Sequence, residues 1–297
     1  MGFPESSARS ALDWSSGNMS VALDYLLSGS VDDQQQEDRK KQHNTPAGRP
    51  TDDAIIGRSN NTHEYIVHSE LSQYSLPNGR SACTCIALKA ASSLLLNADL
   101  RSDKQVGEIS SEVLSDCILE GVQSYQAIME GSSPSASIAE HMSPEEVLSK
   151  FPGTISDKIE VVSLQSGVLL SSPPSVTVPS GIYDCLANSC YRNKGVNPCS
   201  SVGVILVKPP ETILILLPPL SSDGGSFILV DSHPRPPVCA GSYVHIFPKL
   251  EELCGKLSSI FPAVDLGPDV GDMMAMMYNS FDAYVLQVKA GIQISER

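Results

Sequence analysis

Asn78-Gly-Arg-Ser-Ala-Cys83-Thr-Cys85-Ile-Ala-Leu-Lys-Ala90 is the stretch from which the rest of the chain is read. Asn-Gly is a strong turn signal, and the Ala- and Leu-rich run behind it continues as a helix to residue 96. A cysteine where a turn runs into a helix meets free amide groups and the positive end of the helix dipole. Both lower a thiol pKa, and the amides can donate to an oxyanion. Two cysteines compete for that place. Cys83 shares a helical stripe with Ala87, Ala90 and Leu94, small or apolar residues that let a sheet approach; Cys85 shares one with Lys89, Ser92 and Ser93, which reads as solvated. The activating base must come from whatever packs on the helix, so Cys83 is the better placed nucleophile. The plain alternative is a pair of ordinary buried thiols.

A base is offered much later, by Phe227-Ile-Leu-Val-Asp231-Ser-His233-Pro-Arg-Pro-Pro237. Residues two apart on a strand share a face, so the Asp231 carboxylate can hold a ring nitrogen of His233 and fix its tautomer. Pro234 then ends the ladder and leaves the imidazole at the strand tip. By itself an Asp-x-His is more often a satisfied surface pair or a metal fragment; the lack of further ligands nearby disfavours metal. Of the other histidines, His245 on the next strand is the serious rival, while His43, His63, His68 and His141 have poorer contexts. An oxyanion donor should lie just upstream of the nucleophile, where Gln73 and Asn78 both stand and either could be a turn residue.

Outward from these motifs, helices are predicted over 83–96 and 109–130, and Ser143-Pro-Glu-Glu146 has the form of a capping box opening another. Val202 to Val207, Thr212 to Leu217, Ser226 to Asp231 and Tyr243 to Phe247 are short β-rich runs separated by Pro and Gly. A helix over 248–259 and a closing strand from Tyr284 to Val288 follow. Helices first and an antiparallel sheet afterwards make an α+β domain over residues 63–297. Ahead of it, residues 1–28 carry two short amphipathic patterns, and residues 29–62, poor in apolar side chains, read as a flexible linker.

The 297 residues, 41% of them hydrophobic, are enough for one full core with a small appendage. A net charge of −14 with no basic stripe argues against nucleic acid as a partner. No apolar run approaches the roughly 20 residues of a membrane helix, and the first residues do not read as a secretory signal, so a soluble intracellular protein is expected. The eight cysteines then belong in a reducing compartment. None forms a CxxC pair, and Cys185, Cys190 and Cys199 are spaced too loosely for a zinc knuckle. No cofactor is called for.

The Cys83-Thr-Cys-Ile-Ala-Leu helix start, combined with the late Val-Asp231-Ser-His233, resembles the deubiquitinase domain of herpesvirus large tegument proteins and its cellular relatives, the viral tegument-like deubiquitinases. That resemblance implies a papain-like fold with the order Gln, Cys, Asp-x-His. It makes Cys83 the nucleophile, His233 the general base, Asp231 its orienter and Gln73 the oxyanion donor; Ala82 stands where that family often has Gln. Met1-Gly2-Phe3, Ala8, Ala11-Leu12, Asn18, Ala22 and Tyr25-Leu26-Leu27 resemble ubiquitin-associated domains, whose first helix would precede Met1. This implies a ubiquitin-holding patch of Met1, Gly2, Phe3, Leu26 and Leu27. The expected activity is thiol-dependent hydrolysis of isopeptide bonds at the ubiquitin C-terminus, with ubiquitin, polyubiquitin chains and ubiquitinated proteins as partners, in the cytoplasm or nucleus. Two other functions fit the same residues: a catalytically silent ubiquitin-binding adaptor, and a cysteine protease for another ubiquitin-like modifier.

Overall fold

Short runs of Val, Ile and Leu form the middle of one antiparallel sheet in the computed structural model, which describes residues 65–96, 109–131, 141–150, 155–169, 181–192, 201–219, 225–235, 239–267 and 269–292. These belong to the unit Ile56–Arg297. In chain order the strands are β1 (Tyr65–His68), β2 (Ile159–Val168), β3 (Val202–Lys208), β4 (Glu211–Leu217), β5 (Phe227–Asp231), β6 (Tyr243–Phe247) and β7 (Ser280–Val288). They lie side by side as β1-β6-β5-β4-β3-β7-β2. The helices are α1 (Cys83–Leu96), α2 (Ser111–Gly131), α3 (Pro144–Lys150), α4 (Ile182–Arg192), α5 (Leu250–Ile260) and α6 (Asp272–Tyr278).

The sheet separates two cores. Leu214 and Leu216 of β4 join α1, α2 and α3 on one face, while Ile213, Ile215 and Leu217 join α4 and α5 on the other. Strands β3, β5, β6 and β7 alternate in the same way. A strand buried on both faces has no polar alternation, which is why these segments read as continuous apolar blocks. Helix α1 lies against β3, β4, β5 and β7 on one side and against α2 on another. Close approach of α2 depends on Gly121, where a Cβ would stand 2.5 Å from the Ile86 Cα.

That second layer corrects one expectation. The stripe carrying Cys85 is not solvated: Cys85 and Ser92 are buried, and Lys89 is half-buried in an ion pair with Glu120 of α2. A helix covered from two sides has no free face for polar residues to mark.

The α+β class holds, with two departures from helices first and sheet afterwards. β1 precedes α1 and pairs with β6, and β2 falls between α3 and α4 and pairs with β7. β7 begins at Ser280, earlier than predicted, and sits between β3 and β2. The predicted capping box is present at α3: the Glu146 amide donates to Ser143 Oγ at 3.2 Å, and the Ser143 amide to Glu146 Oε2 at 2.7 Å. The amino-terminal pattern over 1–28 and the linker over 29–62 lie outside the described residues. Among the described residues no helix is long and apolar enough to cross a membrane.

Candidate active site

One end of the sheet gathers the chemistry. The register pairs Lys208 with Glu211 in a tight β3–β4 hairpin and Asp231 with Tyr243 across β5–β6, so these strand ends lie together. Helix α1 begins there: Thr84 Oγ1 lies 3.3 Å from Thr212 Oγ1 of β4, and Cys83 Sγ lies 4.0 Å from the Pro210 carbonyl oxygen of the hairpin. The sheet thus brings Cys83 and the Asp231-Ser-His233 segment to the same place.

Asp231 is the last residue of β5, and the chain bends straight after it. Strand alternation is therefore not what aims His233. Because of the bend, Asp231 Oδ1 accepts from both the His233 amide, at 2.9 Å, and the His233 ring at Nδ1, at 2.7 Å. A carboxylate can only accept, so the Nδ1 hydrogen is on the Asp231 side and Nε2 is turned the other way. Arg235 Nε donates to Asp231 Oδ2 at 2.8 Å, and its two terminal nitrogens grip Glu211 at 3.0 and 2.5 Å. Burial would raise the Asp231 pKa, but the charges of Arg235 and His233 and the His233 bonds hold it far below the carboxylate range.

His233 is also enclosed, with Tyr74 edge-on to its ring at 5.9 Å. Burial disfavours its charged form, yet Asp231 and Glu211 outweigh that and push its pKa well above the ordinary imidazole value. No hydrogen bond of good geometry engages Nε2, which neighbours the Cys83 thiol closely enough that each group biases the other's protonation.

The two cysteines differ sharply. For Cys83, burial alone would raise the pKa; the neighbouring imidazoles of His141 and His233, with the charge on His233, bring it down to about 6. Burial and the neighbouring Cys83 push Cys85 up to about 12. The imidazoles thus favour ionisation of Cys83, while burial keeps Cys85 protonated, a distinction the helical stripe does not make.

His141 was among the histidines with poor context, and here the structure departs from the sequence. Met142 is buried in the core and α3 packs against α1, which sets His141 beside the thiol. No sequence spacing encodes that contact. His245, the earlier rival, stacks on Phe247 at 3.9 Å and is held neutral, its pKa pushed down to about 4 chiefly by burial. It alternates with Val244 and Ile246, so it occupies the sheet face away from α1.

Gln73 and Asn78 separate as well. Asn78 is exposed with φ 60°, a turn residue. Gln73 is buried in a single 3₁₀ turn, Gln73–Ser75, between the two reactive segments. Its amide donates to the Ser232 carbonyl at 3.2 Å, its Oε1 accepts from Ser232 Oγ at 3.0 Å, and its Nε2 donates to the Arg80 carbonyl at 3.1 Å. One Nε2 hydrogen is not used by that bond. Gly79 makes the packing possible, since a Cβ there would fall 2.0 Å from the Gln73 carbonyl oxygen. The patch of Met1, Gly2, Phe3, Leu26 and Leu27 lies outside the described residues. Among the described residues no group of His, Cys, Asp and Glu is arranged to hold a metal ion.

Chemically this is a thiol whose ionisation is favoured, beside an imidazole at a helix start, where amides of the first turn point outward for want of intrahelical partners. No protein-family model matches the chain, and neither does any curated protein. Among solved structures it is similar to the ubiquitin-specific protease encoded by the murine cytomegalovirus tegument protein M48, solved with a ubiquitin-based suicide substrate. The TM-score is 0.50 at 15% identity, covering 77% of this chain and 89% of that one. At such identity the likeness is one of fold, and the helices packed on an antiparallel sheet described above are a fold shared with that viral protease.

Proposed function

We propose that this chain is a papain-like cysteine deubiquitinase of the viral tegument-like kind, with Cys83 as nucleophile, His233 as the proton-transferring base and acid, Asp231 as its orienter and Gln73 as an oxyanion donor. The observation that carries this reading is the relay from half-buried Glu211 and Arg235 through buried Asp231 to His233, ending beside a thiol whose pKa is lowered to about 6. The shared fold with a ubiquitin-specific protease supports it.

In the proposed reaction the Cys83 thiolate attacks the carbonyl carbon of the ubiquitin C-terminal glycine. The oxyanion receives hydrogen bonds from α1 amides and Gln73 Nε2. Collapse breaks the isopeptide C–N bond, and His233 gives its Nε2 proton to the departing lysine amine. Water then adds to the thioester while His233 takes its proton, and Cys83 leaves as thiolate from a free ubiquitin carboxylate. An amino-terminal ubiquitin-associated segment with Met1, Gly2, Phe3, Leu26 and Leu27 would add a second ubiquitin contact and raise the local concentration at the site.

One observation favours the silent adaptor: Cys83 and His233 are each 1% exposed, so the site is closed as it stands. A ubiquitin probe with an electrophilic C-terminus decides. Covalent labelling lost in Cys83→Ala and kept in Cys85→Ala supports the enzyme. Wild-type protein that binds ubiquitin without labelling is an adaptor, and labelling confined to probes of other modifiers redirects the substrate.

A further inference from the structure

Helix α6 is unlike the others, because none of its residues is buried. Four of its seven side chains are exposed methionines: Met273 at 76%, Met274 at 59%, Met276 at 51% and Met277 at 64%. Met273, Met276 and Met277 stand at i, i+3 and i+4 on one stripe, with Met274 flanking it. A contiguous apolar patch held in water is unfavourable and marks a contact surface, and methionine, flexible and polarisable, suits adaptable contacts.

The helix is pinned rather than loosely attached. Asn279, buried at its end, donates from Nδ2 to the Val264 carbonyl at 2.9 Å and the Ala275 carbonyl at 3.0 Å, and accepts from the Val264 amide at 2.8 Å. Lys208 Nζ stands 5.0 Å from the ring centroid of Tyr278, the last residue of α6. Lys208 opens the hairpin whose Pro210 carbonyl lies 4.0 Å from Cys83 Sγ, so the methionine patch borders the reactive end of the sheet. Three exposed carboxylates flank the helix in the chain: Asp272 is its first residue, Asp269 lies just ahead of it, and Asp265 follows Val264, which Asn279 ties to the helix end.

We propose that α6 is the docking surface for the folded body of ubiquitin, received through an apolar face rimmed by lysine and arginine. This rests on the deubiquitinase reading. A thiol 1% exposed admits, once its site opens, an extended tail and not a globule, so the globule must rest outside on the same end, where the patch lies. The acidic rim selects a basic-rimmed partner. It also opposes a second copy of this chain, which in a two-fold contact would bring carboxylates against carboxylates on a protein of net charge −14.

The test uses the full chain as Cys83→Ala, carrying ¹³C-methyl methionine and titrated with ubiquitin. Eight methionines give signals that single substitutions assign. Shifts at Met273, Met276 and Met277, with a Kd raised about tenfold or more in Met273→Gln/Met276→Gln/Met277→Gln, support the proposal. Circular dichroism melting of the triple variant should match the parent. Ubiquitin shifts confined to Met1 and Met19, or α6 signals that move only as the chain itself is concentrated, overturn it, as does the absence of shifts. Probe labelling of wild-type Cys83 reads the catalytic proposal separately: labelling without α6 shifts sinks the docking surface alone, and α6 shifts without labelling sink the enzyme alone.

Discussion

His141→Ala should move the ionisation of Cys83, and by a readable amount. Of the single contributions that lower the thiol pKa, the contact with His141 is the largest, ahead of either contribution of His233 taken alone. With a pKa of about 6, roughly nine-tenths of the thiol is ionised at pH 7. Losing one hydrogen bond to the charged form should raise the midpoint by about one unit, which cuts the ionised fraction at pH 7 to about one-half. Rate at pH 7 is a poor readout, because a more basic thiolate is more nucleophilic by about threefold per unit, which offsets the loss. The midpoint is what discriminates. His141 is exposed, so its truncation should leave the fold intact.

Two assays follow the midpoint. Thiolate absorbance against pH, with a Cys83→Ala subtraction, reads the thiol itself. Cys85, pushed to about 12, and Cys117 and Cys185, each pushed to about 11 by burial, stay protonated through the relevant range. The pH dependence of kcat/KM on a ubiquitin-fluorophore substrate should show the same movement of its acid limb. It should also show an alkaline limb where the imidazolium of His233, its pKa raised by Asp231, finally loses its proton. If the thiolate titration of His141→Ala superimposes on the wild type, His141 does not hold the thiolate and the account of Cys83 activation is wrong.

Gln73→Ala should lower kcat by about 10²- to 10³-fold with KM little changed, because an oxyanion donor acts in the transition state; equal effects on binding would instead mark a purely structural tie. Gly121→Ala forces a Cβ to within 2.5 Å of the Ile86 backbone, and the separation of α1 from α2 should cost about 1–3 kcal/mol of unfolding free energy in urea melts. An unchanged melt would mean that α2 sits less tightly on α1 than described.

How far the sequence could be read depends on how local the determining physics is. Strands β3 to β6 were legible because burial on both faces demands apolar residues without a break, and α3 because its cap is complete within Ser143 to Glu146. β1, four residues long, and β2, half polar at the sheet margin, take their identity from partners far away in the chain, β6 and β7. α6 spans only seven residues and buries none of them, so its methionine stripe is too short to mark a helix by period. At the site, Asp231 and His233 lie two residues apart and could be paired from sequence, although the bend rather than strand alternation aims them. Glu211 to Arg235 and His141 to Cys83 are contacts made by packing between elements, and neither residue type nor spacing announces them.

The β3–β4 hairpin joins these pieces within one tight turn. Lys208 meets Tyr278 of α6, Pro210 presents its carbonyl to the thiol, and Glu211 holds Arg235, which holds Asp231, which holds His233. A load on α6 therefore bears on the segment that also braces the base. Opening of the closed thiol cannot come cheaply from α1, clamped between the sheet and α2 with Gly121 against Ile86. The exposed residues bordering the closed thiol are Tyr74, 43% exposed and edge-on to the His233 ring, and Pro209 and Pro210 of the hairpin turn. Under the proposed reading, the surface that would receive the globule is thus joined through Lys208 to the turn that lies against the thiol and braces the base.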